Sequence, residues 1–212
     1  MGINIVMVGS GGVGKSALTL RFVKSEFSTN YNPTIDSSFT KLVQVSPGET
    51  VQVDIHDTAG QEAFSSIREK YYPDADGFIL CYSITDDETL SALKDLHEQI
   101  LDLHSNPHVP LCLVGTKADL ADTDRVVSVE EGKSFAESIN AADFYETSAK
   151  TNNNVTEIFI SLARSIARGK GSSESYRGGS VFGSDVLQRK PHPEKGALDA
   201  LDPKPASCCV LS

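Results

Sequence analysis

One short string near the N-terminus most constrains how this chain can fold. Residues 9–16 read GSGGVGKS and fit the pattern G-x-x-x-x-G-K-[ST], which forms a phosphate-binding loop when it follows a strand and opens a helix. The flanks meet both conditions, because residues 3–8 are a short apolar run that predicts a buried strand and a helix is expected to begin near Lys15. The glycines let successive backbone N–H groups turn toward phosphate oxygens, and the helix N-terminus adds the positive end of its dipole.

Lys15 and Ser16 have distinct chemical roles in such a loop. The Lys15 ammonium is expected to reach the β- and γ-phosphates of a bound nucleotide, and the Ser16 hydroxyl is expected to ligate Mg²⁺. The alternative is a Gly-rich turn that only caps a buried helix. The strand–loop–helix context favours the phosphate loop over that turn.

The charge balance of the chain argues against several classes of protein. Its 212 residues include 19 Lys and Arg against 29 Asp and Glu, a formal net charge of −10. Because an acidic chain repels phosphate backbones, we predict no nucleic-acid partner. No apolar run approaches the length of a membrane-spanning helix. Cys81 and Cys112 lie in apolar runs, which predicts buried free thiols and a reducing compartment.

Strand and helix signals alternate over residues 1–167. Val51, Val53 and Ile55 alternate with polar residues, which is the period of a strand with one polar face. The sequence SPGE before them is a turn, so two strands should form a hairpin around it. The predicted strands of the hairpin are residues 39–45 and 50–56, and further buried strands are predicted at 78–84 and 111–114. This pattern predicts an α/β fold in which helices cover both faces of a mostly parallel sheet and the hairpin adds one antiparallel edge strand.

Three helices are predicted after the hairpin from apolar residues at helical spacing. Two of them begin at candidate capping boxes, in which a Ser or Thr is followed three residues later by Glu. The predicted helices cover residues 90–101 with a box of Thr85 and Glu88, residues 128 to about 140 with a box of Ser128 and Glu131, and residues 155–166.

The last quarter of the chain has a different character. Gly, Ser and Pro supply 16 of the 39 residues from 169 to 207, and no apolar period continues there. We therefore predict three parts: a folded domain at 1–167, a disordered linker at 168–208 and a short terminal motif at 209–212.

Three clusters after predicted strands indicate which nucleotide the phosphate loop serves. Residues 57–62 read DTAGQE, and an Asp at a strand end can hold the hydration shell of Mg²⁺ while the next loop senses the γ-phosphate. Residues 116–119 read TKAD, whose carboxylate can accept the two N–H donors that guanine presents and adenine does not. Residues 147–150 read TSAK, where backbone N–H groups can meet the guanine O6.

Together these strings resemble the Ras family of small GTPases. GSGGVGKS, YNPTIDSSF, DTAGQE, TKAD and TSAK stand in the family's order and spacing, and the resemblance covers about residues 3–167 and the last four residues. It implies a P-loop NTPase fold with a six-stranded sheet and five helices, and a monomeric switch that binds GDP or GTP with Mg²⁺ and slowly hydrolyses GTP. It also implies exchange factors, GTPase-activating proteins and effectors as partners.

The resemblance implies a role for several residues. Mg²⁺ would be held by Ser16, Asp57 and Thr34, which is the threonine of the switch I segment. Tyr31 would close over the phosphates. Phe27 would pack against guanine; the alternative is that Phe27 is a plain core residue. Gly60 would donate its N–H to the γ-phosphate, Gln61 would orient the attacking water, and Lys15 would complete the catalytic group. The positions that match the nucleotide-binding motifs are Gly11, Gly12, Val13, Gly14, Lys15, Ser16, Ala17, Thr116, Lys117, Asp119, Leu120, Ser148, Ala149 and Lys150.

The phosphate loop keeps the features that hydrolysis needs. A side chain on Gly11 or Gly12 would crowd Gln61 and an incoming arginine, and neither the loop nor switch I contains an arginine of its own. We therefore expect an activating protein to supply the arginine, and Arg68 to structure switch II, the segment after Asp57.

Three positions depart from the family pattern or leave alternatives. Thr116 replaces the usual Asn of the Ras base motif, as in the Rho branch, although no Rho-type inserted helix follows Asp119; guanine binding should survive with weaker affinity. Ser37 replaces an acidic residue in the effector stretch, so basic effector surfaces should bind less well or differently. His56 either tunes Asp57 or is simply a packed or solvated strand residue, and the second interpretation is favoured.

The C-terminus fits a lipidation signal. Cys209 begins a C-a-a-X motif with Ser at the last position, which favours a farnesyl group, and Cys208 is the expected palmitoylation site because one chain anchors only marginally. The alternative is two free thiols. This motif predicts a lipid-anchored protein at the cytoplasmic face of the plasma membrane. A phosphate loop is also compatible with two other functions: a nucleotide-bound scaffold that does not hydrolyse, and an ATP-using kinase or transferase. The retained Gln61 argues against the first, and TKAD and TSAK argue against the second.

Overall fold

The computed structural model describes residues 2–29, 34, 36–60, 66 and 69–174. The chain divides into two compact units, Met1–Gly178 and Gly179–Ser212, and every described residue belongs to the first. Five residues singled out by the sequence lie outside the described residues: Tyr31, Gln61, Arg68, Cys208 and Cys209.

The described residues form one six-stranded sheet. Its strands are β1 (Gly2–Val8), β2 (Asp36–Ser46), β3 (Glu49–Thr58), β4 (Gly77–Ser83), β5 (Leu111–Thr116) and β6 (Asp143–Glu146). Their order across the sheet is β2-β3-β1-β4-β5-β6, and every neighbouring pair is parallel except β2 with β3. The predicted fold class, with one antiparallel edge strand made by the hairpin, is confirmed.

Helices connect the strands and cover both faces of this sheet. They are α1 (Lys15–Lys24), α2 (Asp87–Ser91), α3 (Leu93–Leu103), a 3₁₀ turn (Ala118–Leu120), α4 (Val129–Ser138) and α5 (Val155–Glu174). The Ser128–Glu131 capping box of α4 is confirmed, because each side chain bonds the backbone N–H of the other residue. No described helix combines the length and the apolar character needed to cross a bilayer.

The predicted Thr85–Glu88 capping box is wrong. The N-cap residue of α2 is Asp86, whose side chain accepts a hydrogen bond from the Glu88 N–H at 3.1 Å. The Thr85 hydroxyl lies 2.8 Å from the Ser83 hydroxyl instead. Asp caps a helix as well as Ser or Thr does, so adjacent candidates compete and the backbone path decides between them. The predicted single helix is also interrupted at Ala92, between α2 and α3.

The central strands divide their side chains between two hydrophobic clusters, one on each face of the sheet. On β1, Ile3, Ile5 and Met7 belong to the cluster under α1 and α5, whereas Val6 and Val8 belong to the cluster under α2, α3 and α4. This alternation follows from the two-residue period of a strand. Because β1, β3, β4 and β5 are parallel, their carboxyl ends lie along the same end of the sheet.

The last helix continues beyond the sequence signal that predicted it. Helix α5 ends at Glu174, seven residues after the boundary predicted at 167. A tertiary contact accompanies this extension: the Lys170 ammonium lies 2.5 Å from a carboxylate oxygen of Asp76, in the segment before β4. The linker predicted from residue 168 therefore begins inside this helix.

Candidate functional site

The carboxyl ends of the parallel strands border a cavity of about 1060 Å³, which is where ligands bind in open α/β sheets. It runs from the loop between β1 and α1 to the loops after β5 and β6. Among its lining residues are these predicted site residues: Gly11, Gly12, Val13, Gly14, Lys15, Ser16, Ala17, Phe27, Thr34, Asp57, Gly60, Thr116, Lys117, Asp119, Leu120, Ala149 and Lys150. Ser148 is buried directly behind the lining.

The phosphate loop holds Lys15 with its own backbone. The side chain is buried, and its ammonium donates to the carbonyl oxygens of Gly9 at 2.8 Å and Ser10 at 2.9 Å. Helix α1 begins at Lys15, as predicted, with Gly14 as its N-cap residue. The cationic group and the helix N-terminus therefore face the same part of the cavity, which is the arrangement that binds phosphate.

Three oxygen ligands converge next to this loop. The Ser16 hydroxyl lies 2.7 Å from the Thr34 hydroxyl, and a hydrogen bond joins Ser16 to the Asp57 carboxylate at the end of β3. Burial raises the pKa of Asp57, while the hydrogen bond from Ser16 and the charge of Lys15 lower it. Among the described residues, Asp57 Oδ1 has no hydrogen-bond partner although it is buried. An unpartnered buried carboxylate oxygen beside two hydroxyls fits a hard cation such as Mg²⁺.

Gly60 packs directly against the phosphate loop. A Cβ atom at this position would lie 2.4 Å from Gly11 N and from Ser10 O, far inside van der Waals contact. Only glycine allows this approach, so the backbone after β3 reaches the phosphate end of the cavity. A Cβ on Gly12 would meet no described atom within 4 Å; the crowding predicted there involves Gln61, which lies outside the described residues.

At the opposite end, Asp119 is held from two sides. Its Oδ1 accepts a hydrogen bond from the Ser148 hydroxyl at 2.6 Å, and its Oδ2 lies 3.6 Å from the Lys150 ammonium. The Ala118 N–H donates to Thr147 O at 2.9 Å, so the TKAD and TSAK segments are also joined through their backbones. The carboxylate predicted to read the base is thus oriented by groups of the protein itself.

Phe27 is not a core residue. Its side chain is 38% exposed and lines the cavity. Stacking of this ring against a flat base would bury a large part of its exposed surface. The alternative that treated Phe27 as plain core is wrong.

Thr116 joins the two ends of the cavity. Its hydroxyl lies 2.5 Å from Val13 O in the phosphate loop and 2.8 Å from Tyr82 O on β4. The side chain is buried, and a hydroxyl has one proton for these two acceptors. Thr116 therefore holds the phosphate loop through a single hydrogen-bond donor.

His56 is a packed strand residue, as favoured above. Its Nδ1 lies 2.9 Å from the Ser38 hydroxyl, and its ring stacks on Tyr71 with a centroid distance of 4.4 Å. Burial lowers the pKa of His56, and the carboxylates of Asp36 and Asp54 oppose that shift. Because neighbouring residues of a strand project to opposite faces, His56 points away from the cavity that Asp57 enters.

Arg21 is the main contributor that the sequence analysis missed. From α1 its guanidinium donates to Ala149 O at 2.7 Å, Lys150 O at 2.9 Å and Ser25 O at 3.0 Å. A helical arginine gives no sequence signal for carbonyl partners 128 and 129 residues away.

These features define a class of protein: an α/β protein of the nucleotide-binding type, in which the phosphate loop, the oxygen cluster of Ser16, Thr34 and Asp57 and the loops after β5 and β6 border one cavity. A sequence model of the Ras family matches residues 4–168, and the chain belongs to that family. It is therefore a small GTPase switch that binds guanine nucleotides, as the family does generally.

Proposed function

We propose that this protein is a membrane-anchored GDP/GTP switch of the Ras branch, which hydrolyses GTP slowly and engages effectors through switch I and switch II in its GTP form. One observation carries the proposal. The oxygen cluster of Ser16, Thr34 and Asp57 and the oriented carboxylate of Asp119 line the same cavity as Lys15.

Ser16, Thr34 and Asp57 are the residues that would hold Mg²⁺, on the fit of the donor set described above. A bound Mg²⁺ neutralises charge on the β- and γ-phosphate oxygens. Lys15 adds a fixed positive charge at the same end, and the backbone of Gly60 packs against the phosphate loop, where its N–H would donate to a γ-phosphate.

Hydrolysis is proposed to depend on Gln61, which follows Gly60 directly and would orient the attacking water. The transition-state arginine is proposed to come from an activating protein, with an effect of about 10³–10⁵ on the rate. Lys15 and Gly60 would bind the reacting phosphate, and Gln61 would position the nucleophile.

The Ras branch is preferred over the Rho branch because of the chain that follows Asp119. The 3₁₀ turn ends at Leu120 and α4 begins at Val129, so eight residues connect them. A connection of this length has no room for an inserted helix of several turns. Thr116 then resembles the Rho branch at one position of the base motif, in a domain proposed to belong to the Ras branch.

Effector choice is proposed to differ from that of typical Ras proteins at Ser37. This residue lies on β2 opposite Asp57 and lines the cavity mouth without adding negative charge. We expect the GTP form to bind a typical Ras-binding domain poorly, and Ser37→Asp to strengthen binding by about 2 kcal/mol or more if the new charge pairs with a partly desolvated base. Titration calorimetry that shows tight wild-type binding with no gain in the variant would contradict this.

Membrane attachment is proposed to use both C-terminal cysteines. Farnesylation of Cys209 gives weak, reversible contact, and palmitoylation of Cys208 then holds the protein at the plasma membrane. Fractionation should find Cys209→Ser wholly soluble and Cys208→Ser prenylated but displaced from the plasma membrane. If Cys208→Ser remains as firmly bound as wild type and high salt releases both, the anchor is electrostatic and this part of the proposal fails.

Single-turnover hydrolysis with GTP and ATP tests the proposed activity. We expect slow, Mg²⁺-dependent hydrolysis of GTP alone, and a sharp loss of that rate in Gln61→Leu with nucleotide binding retained. Comparable turnover of ATP would support the kinase or transferase alternative. Tight GTP binding without hydrolysis would support the scaffold alternative.

A further inference from the structure

One arginine connects two walls of the cavity that are far apart in the sequence. Arg21 lies in the last turn of α1 and donates hydrogen bonds to three backbone carbonyl oxygens. Two of them belong to Ala149 and Lys150 in the loop after β6, and the third belongs to Ser25, just after the helix. The contact with Ser25 is reciprocal, because the Ser25 N–H donates to Arg21 O at 3.0 Å.

All three acceptors lie at the end of the cavity that is proposed to hold the base. Ala149 and Lys150 line the cavity themselves. Ser25 immediately precedes the lining segment 26–29, which includes the exposed ring of Phe27. The guanidinium therefore stands behind both walls without lining the cavity.

The hydrogen bond to Ala149 O also fixes the direction of a backbone donor. A trans peptide unit is planar, so its C=O and N–H point in opposite directions. When Arg21 holds the carbonyl of Ala149 from behind, the N–H of Lys150 in the same peptide unit points the other way, away from the guanidinium. That N–H belongs to the TSAK segment, whose backbone donors are proposed to meet the guanine O6.

We infer that Arg21 is a positioning residue that holds the two base-contacting walls together and thereby sets how long a guanine nucleotide stays bound. The inference rests on the proposed function, because it assigns a determinant of residence time to the same site. Release of the base requires the walls to separate or the loop to shift, and either movement breaks hydrogen bonds of Arg21. The γ-phosphate is proposed to bind at the other end of the cavity, beside Lys15, so GDP and GTP should respond equally and the hydrolysis step should not change.

Two substitutions separate the donors from the rest of the side chain. Arg21→Met keeps an unbranched apolar stem of similar length and removes every donor. In Arg21→Gln the amide nitrogen stands the same number of bonds from Cα as Nε does, so it can keep the hydrogen bond to Ala149 O and loses those to Lys150 and Ser25. The release rate should therefore rise in the order wild type, Gln, Met.

Arg164 provides a matched control. It lies on α5 and its Nε donates to Val45 O on β2 at 2.8 Å, a long-range bond of the same chemical kind that does not touch the cavity wall. Arg164→Met removes a comparable bond. Its thermal unfolding should shift as much as that of the Arg21 variants or more, while nucleotide release stays at the wild-type rate.

Release of a fluorescent GDP from the full chain, chased with excess GDP in Mg²⁺ buffer, measures the effect. We expect Arg21→Met to release it about tenfold faster than wild type, since more than one net hydrogen bond is lost. Arg21→Gln should be intermediate, a non-hydrolysable GTP analogue should give the same ratios, and single-turnover hydrolysis should stay within about twofold of wild type.

Unchanged release in Arg21→Met, or equal acceleration in Arg164→Met, would overturn the inference. A loss of hydrolysis that parallels faster release would also overturn it, because it would indicate general loosening of the fold. Failure of the wild-type chain to retain GDP would instead overturn the proposed function itself.

Discussion

The two ends of the cavity are built in opposite ways. At the base end the polar groups already have partners within the protein, with Asp119 bonded to Ser148 and paired with Lys150. At the cation end Asp57 Oδ1 is buried and has no partner among the described residues, and the Ser16 hydroxyl on α1 lies 2.7 Å from the Thr34 hydroxyl.

The base end is therefore suited to selecting the nucleotide base, and the cation end to responding to the bound cation and phosphate. A carboxylate held by its neighbours offers the same geometry to every ligand, so the base end can reject a wrong base without rearrangement. A buried carboxylate oxygen without a partner is costly until a ligand satisfies it, so we expect the cation end to be stabilised by Mg²⁺ and phosphate. Thr34 lies two residues before β2, so we expect a change at Thr34 to be transmitted to Ser37 on that strand.

The largest effect should follow from changing the base end. Asp119→Asn places an amide donor where the carboxylate accepted, so preference should move from guanine to xanthine, with a change of about 10³-fold or more in their relative affinities. Competition binding of xanthosine and guanosine diphosphates measures it. Asp122→Asn, an exposed carboxylate shortly after the 3₁₀ turn, is the matched control and should keep guanine preference. Unchanged preference in Asp119→Asn would mean that another group reads the base.

A smaller effect, with no change of base preference, should follow at the cation end. Asp57→Asn keeps the shape of the side chain and removes its charge, so the affinity for Mg²⁺ should fall on the order of 10–100-fold. The Mg²⁺ concentration that slows GDP release gives this value. Asp54→Asn removes a carboxylate from the same strand, where it accepts from Thr40 at 2.5 Å, and should leave that concentration unchanged. A shift in base preference in Asp57→Asn would break the separation of the two ends.

Local sequence signals correctly predicted the secondary-structure elements that position this site. The phosphate loop, the hairpin and the Ser128 cap each depend on residues within a few positions of one another, so the pattern and the structure agree. Local sequence signals could not predict the contacts of Arg21 and of the Thr116 hydroxyl, because their partners come from elements up to 129 residues away. The N-cap of α2 was missed for a different reason: Thr85 and Asp86 are both good caps, and the energies that distinguish them are small.

Thr116 allows a test of the connection between the ends. Asn offers two N–H donors for Val13 O and Tyr82 O, where the hydroxyl offers one, so Thr116→Asn should slow GDP release by about threefold to tenfold. Thr116→Val, which keeps the shape and removes the hydroxyl, should accelerate release by a similar factor. The same fluorescent GDP assay measures both. Changes in the same direction would show that packing, and not the hydrogen bond, governs this position.

The smallest effect should come from His56, which affects the fold and not the cavity. Its pKa in the folded state is lowered by burial, so between that value and 6.5 the unfolded chain binds more protons than the folded one. Its contribution to stability is therefore present above pH 6.5 and lost as the pH falls through the folded pKa. Replacing the ring by Asn should flatten the pH dependence of the unfolding free energy below pH 6.5, as urea titrations of GDP-bound protein would show.

Two controls belong to the His56 experiment. Above pH 7.5 the difference between His56→Asn and wild type should be constant, because His56 is neutral in both states there. GDP release should match wild type at every pH. A change in release would place His56 in contact with the cavity and contradict its packing against Tyr71.

The most direct test of the separation is equilibrium binding of GDP and ADP, each measured with Mg²⁺ and with EDTA. We predict that GDP is preferred over ADP by the same factor in both conditions, and that Mg²⁺ strengthens the binding of both nucleotides by the same factor. A guanine preference that disappears in EDTA, or equal binding of GDP and ADP, would contradict a base end that is complete before the cation arrives.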